Sequence, residues 1–90
     1  MHAALVTLTV DPVRASAAAT ALTNDILPGV RSAPGFVAGY WLEPEESRGF
    51  SIVLFHTEEQ AIRASPPASD WSAPGVTIET VSIRKVAVAI

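Results

Sequence analysis

The tripeptide Ala-Pro-Gly occurs twice, at residues 33–35 and 73–75, each time between a helical pattern and a strand pattern. Proline stops a helix and glycine supplies a turn conformation closed to other residues, so each copy is a helix-to-strand corner. The order of patterns around the two corners is the same. A strand at residues 3–10, a helix from residue 13, the first corner and a strand at 36–43 form one half. A strand at 50–56, a short helix, the second corner and a strand at 76–90 form the other. A repeated tripeptide alone carries little weight; a repeated order of elements constrains the fold strongly.

Local signals agree with this division. Asp11-Pro12 pairs a favoured N-cap with a proline suited to the first helical position. Ala15, Ala18, Ala19, Leu22 and Ile26 then form one stripe at helical spacing, and the small alanines let that helix lie close to its support. Pro28-Gly29 either ends this helix near Leu27 or kinks it, leaving one more turn to Ser32. Residues 44–49 make a polar hairpin loop. Thr57-Glu58-Glu59-Gln60 fits a capping box, and Pro66-Pro67 stops the second helix after Ser65. Residues 66–75 form an irregular loop containing Trp71, and a bend or bulge is expected in the last strand near Arg84-Lys85.

Two split βαβ units in tandem make the ferredoxin-like plan: α+β, βαββαβ, a four-stranded antiparallel sheet with two helices on one face. The 90 residues fit one domain. The second sheet face of such a domain is bare, and a wetted strand face should be polar. Strict alternation puts Phe36, Ala38, Tyr40 and Leu42 on one face, and Val37, Gly39 and Trp41 on the other. It likewise separates Val76 and Ile78 from Val81 and Ile83. Neither face is polar. Hydrophobic residues make up 49% of a chain too short to bury them all, so the bare face, assigned to the row of Trp41, Val53 and Val81, is expected to meet a second copy. The expected assembly is a homodimeric α+β barrel, with the end of the last strand reaching towards the partner.

Other classes are excluded by composition. Six basic against nine acidic residues give a net charge of −3 and no basic footprint for nucleic acid or an anionic membrane surface. The absence of cysteine removes disulfides, thiolate metal sites and a cysteine nucleophile. No apolar run reaches the length of a membrane span, and the start lacks the basic region of a signal peptide, so the cytoplasm is the expected compartment.

Val10-Asp11-Pro12 before a long helix, Ala33-Pro34-Gly35-Phe36-Val37 opening the second strand, and Phe55-His56-Thr57-Glu58-Glu59-Gln60-Ala61 opening the second helix resemble the dimeric α+β barrel proteins. Within these, the chain is most similar to the antibiotic-biosynthesis-monooxygenase-like group, over essentially its whole length. The resemblance implies a pocket between sheet and helices. It also implies one of several activities: cofactor-independent oxygenation of polyketide-like phenols, haem degradation, or none known. Active members use an Asn on the first strand, a Trp near the end of helix two and, in haem degraders, a His in the following loop. The first two positions fall on Val6 and near Ala64, and residues 66–75 contain no His, so that set is absent.

The remaining candidates are few. Phe36, Tyr40, Trp71 and Ile26 are expected to line a cleft for a small apolar or aromatic molecule; Trp41, the other candidate wall, is better placed in the dimer core, and Trp71 serves equally well as a plug of the long loop. His56 and Tyr40 are the side chains suited to moving a proton there. His2, read as a frayed end, and His56 lie on different strands without an acidic partner. No metal or other cofactor is therefore expected. Ser16, Ser51 and Ser65 lack a nucleophile-elbow setting, and no phosphate-binding glycine loop is present. Three functions stay open: a small-molecule binder, a cofactor-independent monooxygenase, and a structural module without ligand.

Overall fold

A computed structural model describes residues 1–69 and 73–90. The strands are β1 (His2–Val10), β2 (Phe36–Glu45), β3 (Arg48–Phe55) and β4 (Val76–Lys85). They form one antiparallel sheet in the order β2-β3-β1-β4. The helices are α1 (Ala15–Ala21), α2 (Leu27–Arg31) and α3 (Glu58–Arg63). This is the ferredoxin-like βαββαβ arrangement.

The first helical layer starts where Asp11 caps it, its carboxylate accepting from Val13 N–H at 3.0 Å. It runs without a break from α1 into α2 through a π-helical stretch, Leu22–Ile26. Of the two readings of Pro28-Gly29, the further turn to Ser32 is the one observed. The Pro28 ring excludes the carbonyl four residues back, and the wider π-turn just before it makes room. The Thr57–Gln60 capping box is present in both directions, with Gln60 N–H donating to Thr57 Oγ1 at 3.2 Å and Thr57 N–H donating to Gln60 Oε1 at 3.1 Å. Glu46 and Ser47, both at positive φ, make the tight turn between β2 and β3.

Both Ala-Pro-Gly corners use a glycine at positive φ, Gly35 at +79° and Gly75 at +74°. Each carbonyl accepts from the backbone at the opposite half's helix entry. His56 N–H donates to Gly35 at 3.0 Å, and Asp11 N–H donates to Gly75 at 2.8 Å. The sequence repeat is thus a structural repeat, each corner clasping the start of the other half's helix.

Two bulges overturn the expected sheet faces. Phe36 pairs with Phe55 and Ala38 with the adjacent Leu54, leaving Val37 as an extra residue. Thr7 pairs with Thr80 and Leu8 with Ile78, leaving Glu79 extra; the irregularity expected near Arg84-Lys85 lies here instead. A bulge shifts the alternation by one. Phe36, Trp41, Val53, Phe55, Ala4, Val6, Val76, Ile78, Val81 and Ile83 consequently all share the helix-covered face. The row of Trp41, Val53 and Val81 is covered by the chain's own helices, not by a partner.

The uncovered face carries a different set. Tyr40 and Leu42 are 57% and 53% exposed, and Leu5, Ile52 and Leu54 are half-buried beside them. Towards β4 this face turns polar, where Thr7 and Thr80 share a hydroxyl hydrogen bond and Thr9 donates to Glu79. β4 ends at Lys85, and residues 86–90 continue outside regular structure instead of extending the strand to Ile90. His2 is a paired strand residue whose Nε2 lies 3.5 Å from Glu58 Oε2, not a frayed end.

Candidate functional site, an apolar cleft under the first helix

Packing is uneven along the sheet. At one end, Ala4, Val30, Val53, Phe55 and Ala61 form a closed core, joined by Phe36, Trp41, Ala33 and Ile83. Phe36 meets Phe55 edge to face, with centroids 6.3 Å apart. At the other end, the alanine stripe of α1 leaves a gap over the sheet. This cleft of about 510 Å³ is bounded by Ala15, Ala18, Ala19, Leu22 and Ile26 above, and by Leu8, Val10, Trp41, Ser51, Val76 and Ile78 below. Large side chains on α1 would fill it. Alanine provides helical propensity without the volume.

Trp41 separates the closed and open ends. Its ring folds back over Gly39, where a methyl carbon would stand 2.5 Å from the indole. Gly39 thus gives Trp41 the space to serve the core on one side and the cleft on the other.

Ser51 occupies the centre of the covered face. Its register neighbours are Trp41 on β2 and Val6 on β1, and it is 1% exposed. Its hydroxyl has no hydrogen-bond partner among the described residues. Glu43, near Pro44 and Ser47, is the one ionisable side chain among the described residues of the cleft wall.

A second depression, of about 580 Å³, lies between α2 and α3. It is bordered by Asp25, Glu59, Gln60 and Arg63, and Arg63 is already paired with Glu59. Among the described residues, no group of three potential metal ligands converges anywhere.

The structure disperses the four residues expected to line one cleft. Ile26 lies on the cleft wall. Phe36 is in the closed core, because the Val37 bulge turns it towards Phe55. Tyr40 pairs with Ile52 on the uncovered face and does not approach the cleft, since its neighbour Trp41 points inwards. Trp71 lies outside the described residues. His56 is an exposed residue after β3, whose backbone supports Gly35. Neither Tyr40 nor His56 is therefore in position to move a proton in this cleft. Ser51 is a lining residue that sequence reasoning missed, and Trp41 is one that it weighed as a pocket wall but assigned to the dimer core. The signal for Ser51 was present: in the alternating row Gly49, Ser51, Val53, Phe55 it is the lone polar side chain.

No family model matches the chain, and no curated protein matches it. Among solved structures, a crystal structure of a mutant of MhuD with two manganese protoporphyrin IX molecules bound per active site is similar to it. The match has a TM-score of 0.68 and covers 100% of this chain and 98% of that one, at 16% sequence identity. The chain shares the ferredoxin-like α+β fold of that structure. The expected fold class therefore stands, although two bulges redistribute its faces. No helix is long and apolar enough to cross a membrane.

Proposed function

We propose that this protein binds a small apolar or aromatic molecule in the cleft between α1 and the sheet, and that it does so as a homodimer. The observation that carries the reading is the gap itself. A domain whose other end closes with Phe36, Phe55 and Val53 keeps about 510 Å³ open under an alanine-rich helix. Partly apolar clefts with few polar groups are the usual form of small-molecule sites. The dimer is supported by the exposed Tyr40 and Leu42 beside half-buried Leu5, Ile52 and Leu54, an apolar patch that a second copy would cover.

Haem does not fit this donor set. The described lining contains no imidazole to hold iron and no cation for two propionates, and its one charge is the carboxylate of Glu43. The remaining three residues, Asp70, Trp71 and Ser72, include neither an imidazole nor a cation. Porphyrin binding, as in the MhuD structure, is therefore not assigned to this chain. The monooxygenase alternative lacks a base placed at the cleft floor among the described residues, and binding is the reading the geometry supports.

Calorimetric titration with naphthalene and 2-naphthol tests this. Wild type should bind at least one of them, and Ala19→Trp, which puts an indole into the cleft from an exposed helix position, should not. Equal binding by both proteins, or by neither, would overturn the site.

A further inference from the structure

We infer that this cleft selects an organic cation, a compact hydrocarbon body carrying an ammonium group, and that the Glu43 carboxylate at the opening holds the charge. This rests on the binding function proposed above and adds to it the chemical class that is recognised.

Glu43 lies two residues beyond Trp41 on β2, and it is both exposed and part of the cleft wall, which puts it at the opening. It has no ion-pair partner among the described residues, where the pairs are His2 with Glu58 and Arg63 with Glu59. The next acid along the strand, Glu45, has Arg48 as its register partner. Arg14, at the start of the first helical layer, lies against Gly75 beside β4, whereas Glu43 is on β2 at the opposite edge of the sheet. The positive end of that helical layer would favour an anion, but the Asp11 carboxylate already meets it. The charge left for a ligand is therefore a single negative one.

The rest of the wall sets what the charge must be attached to. Alanines, Leu22 and Ile26 cover the cleft from the helix side. Leu8 lies over Gly49, so the floor towards the hairpin is aliphatic. A hydrocarbon body seated there removes apolar surface from water. An ammonium group at the opening stays partly hydrated, so it escapes the cost of a buried ion, and it gains the Glu43 carboxylate and the Ser47 hydroxyl as acceptors. A carboxylate in the same place would meet a like charge, and no described lining residue offsets it.

Dissociation constants of 2-naphthylmethylamine, 2-naphthylmethanol and 2-naphthoate, which share one body and differ in charge, decide the matter at neutral pH. In low salt, wild type should favour the amine over the alcohol by about fivefold, the worth of one solvent-facing ion pair, and should bind 2-naphthoate most weakly. The preference should fade at about 1 M salt, where the screening length is only ~3 Å. Glu43→Gln, at an exposed position, should keep the affinity for the alcohol and lose the preference for the amine. Ala19→Trp should lose all three ligands. If amine and alcohol bind wild type equally, or the preference survives in Glu43→Gln, the charge selection is wrong while the binding cleft stands. An amine that binds Ala19→Trp as tightly as wild type sits on the acidic hairpin and not in the cleft, which overturns the inference, as does 2-naphthoate binding as tightly as the amine. Failure of all three to bind wild type would remove the cleft function itself.

Discussion

The backbone N–H of Asp11 donates to the carbonyl of Gly75 at 2.8 Å, across the seam between the two halves of the chain. Asp11 also caps the first helical layer with its carboxylate. One residue thus ends β1, starts the helix above the cleft and is held by the corner before β4. His56 and Gly35 repeat the bond in the other half.

That bond makes both corner glycines hard to replace. Gly75→Ala places a side chain at φ +74°, with its methyl carbon 2.7 Å from Arg14 Cβ. The left-handed conformation and the contact together should cost ~2 kcal/mol or more. Gly35→Ala collides with the Gln60 carboxamide and should also break the capping box of α3. Urea unfolding should show both variants destabilised. Hydrogen exchange should rise at the start of α1 in Gly75→Ala and at the start of α3 in Gly35→Ala. A neutral result for either would mean that the corners do not hold the helix entries.

Ser51→Ala should stabilise the ligand-free protein. The change removes a hydroxyl that has no described partner and leaves the backbone pairing with Val6 and Trp41 unaltered. The gain should be about 1 kcal/mol, read as a higher melting temperature without ligand. Most buried polar residues behave oppositely when truncated, so a lower melting temperature would show that Ser51 is already satisfied within the fold.

Gly39→Ala should disturb the cleft through Trp41. The added methyl meets the indole at 2.5 Å, and the ring has the closed core on one side and the cleft on the other. Overpacking of this kind costs ~1–3 kcal/mol. In a Trp71→Phe background, the emission maximum reports Trp41 alone and should shift on Gly39→Ala. An unmoved spectrum with unchanged stability would contradict the ring position described.

The repeat of Ala-Pro-Gly made the fold legible before any coordinates, and Asp11, Thr57 and Gln60 act as their types and spacing indicate. The faces were not legible. Val37 and Glu79 carry no glycine or proline to mark a bulge, yet each shifts the alternation and reassigns every side chain beyond it. Phe36 and Tyr40 look equivalent at a spacing of four along a strand, but the bulge between them sends one to the core and the other to the open face. Pro28 left two readings open for a similar reason, since the π-turn that accommodates it leaves no signature in residue type.

The same reassignment relocates the expected partner surface, and a double substitution tests it there. Tyr40 and Leu42 protrude from the uncovered face without supporting the core under the helices. Lysines at both positions should leave the far-UV circular dichroism unchanged, because each replaced side chain is more than half exposed. If a second copy covers this patch, Tyr40→Lys with Leu42→Lys should convert a dimer into a monomer in sedimentation equilibrium, since burying unpaired ammonium groups costs several kcal/mol. The polar strip of Thr7, Thr9, Glu79 and Thr80 on the β4 side offers no comparable apolar area, so the contact should be centred on β2 and β3. A wild-type monomer at micromolar concentration would remove the dimer, and a dimer that survives both lysines would place its interface on another surface of the molecule.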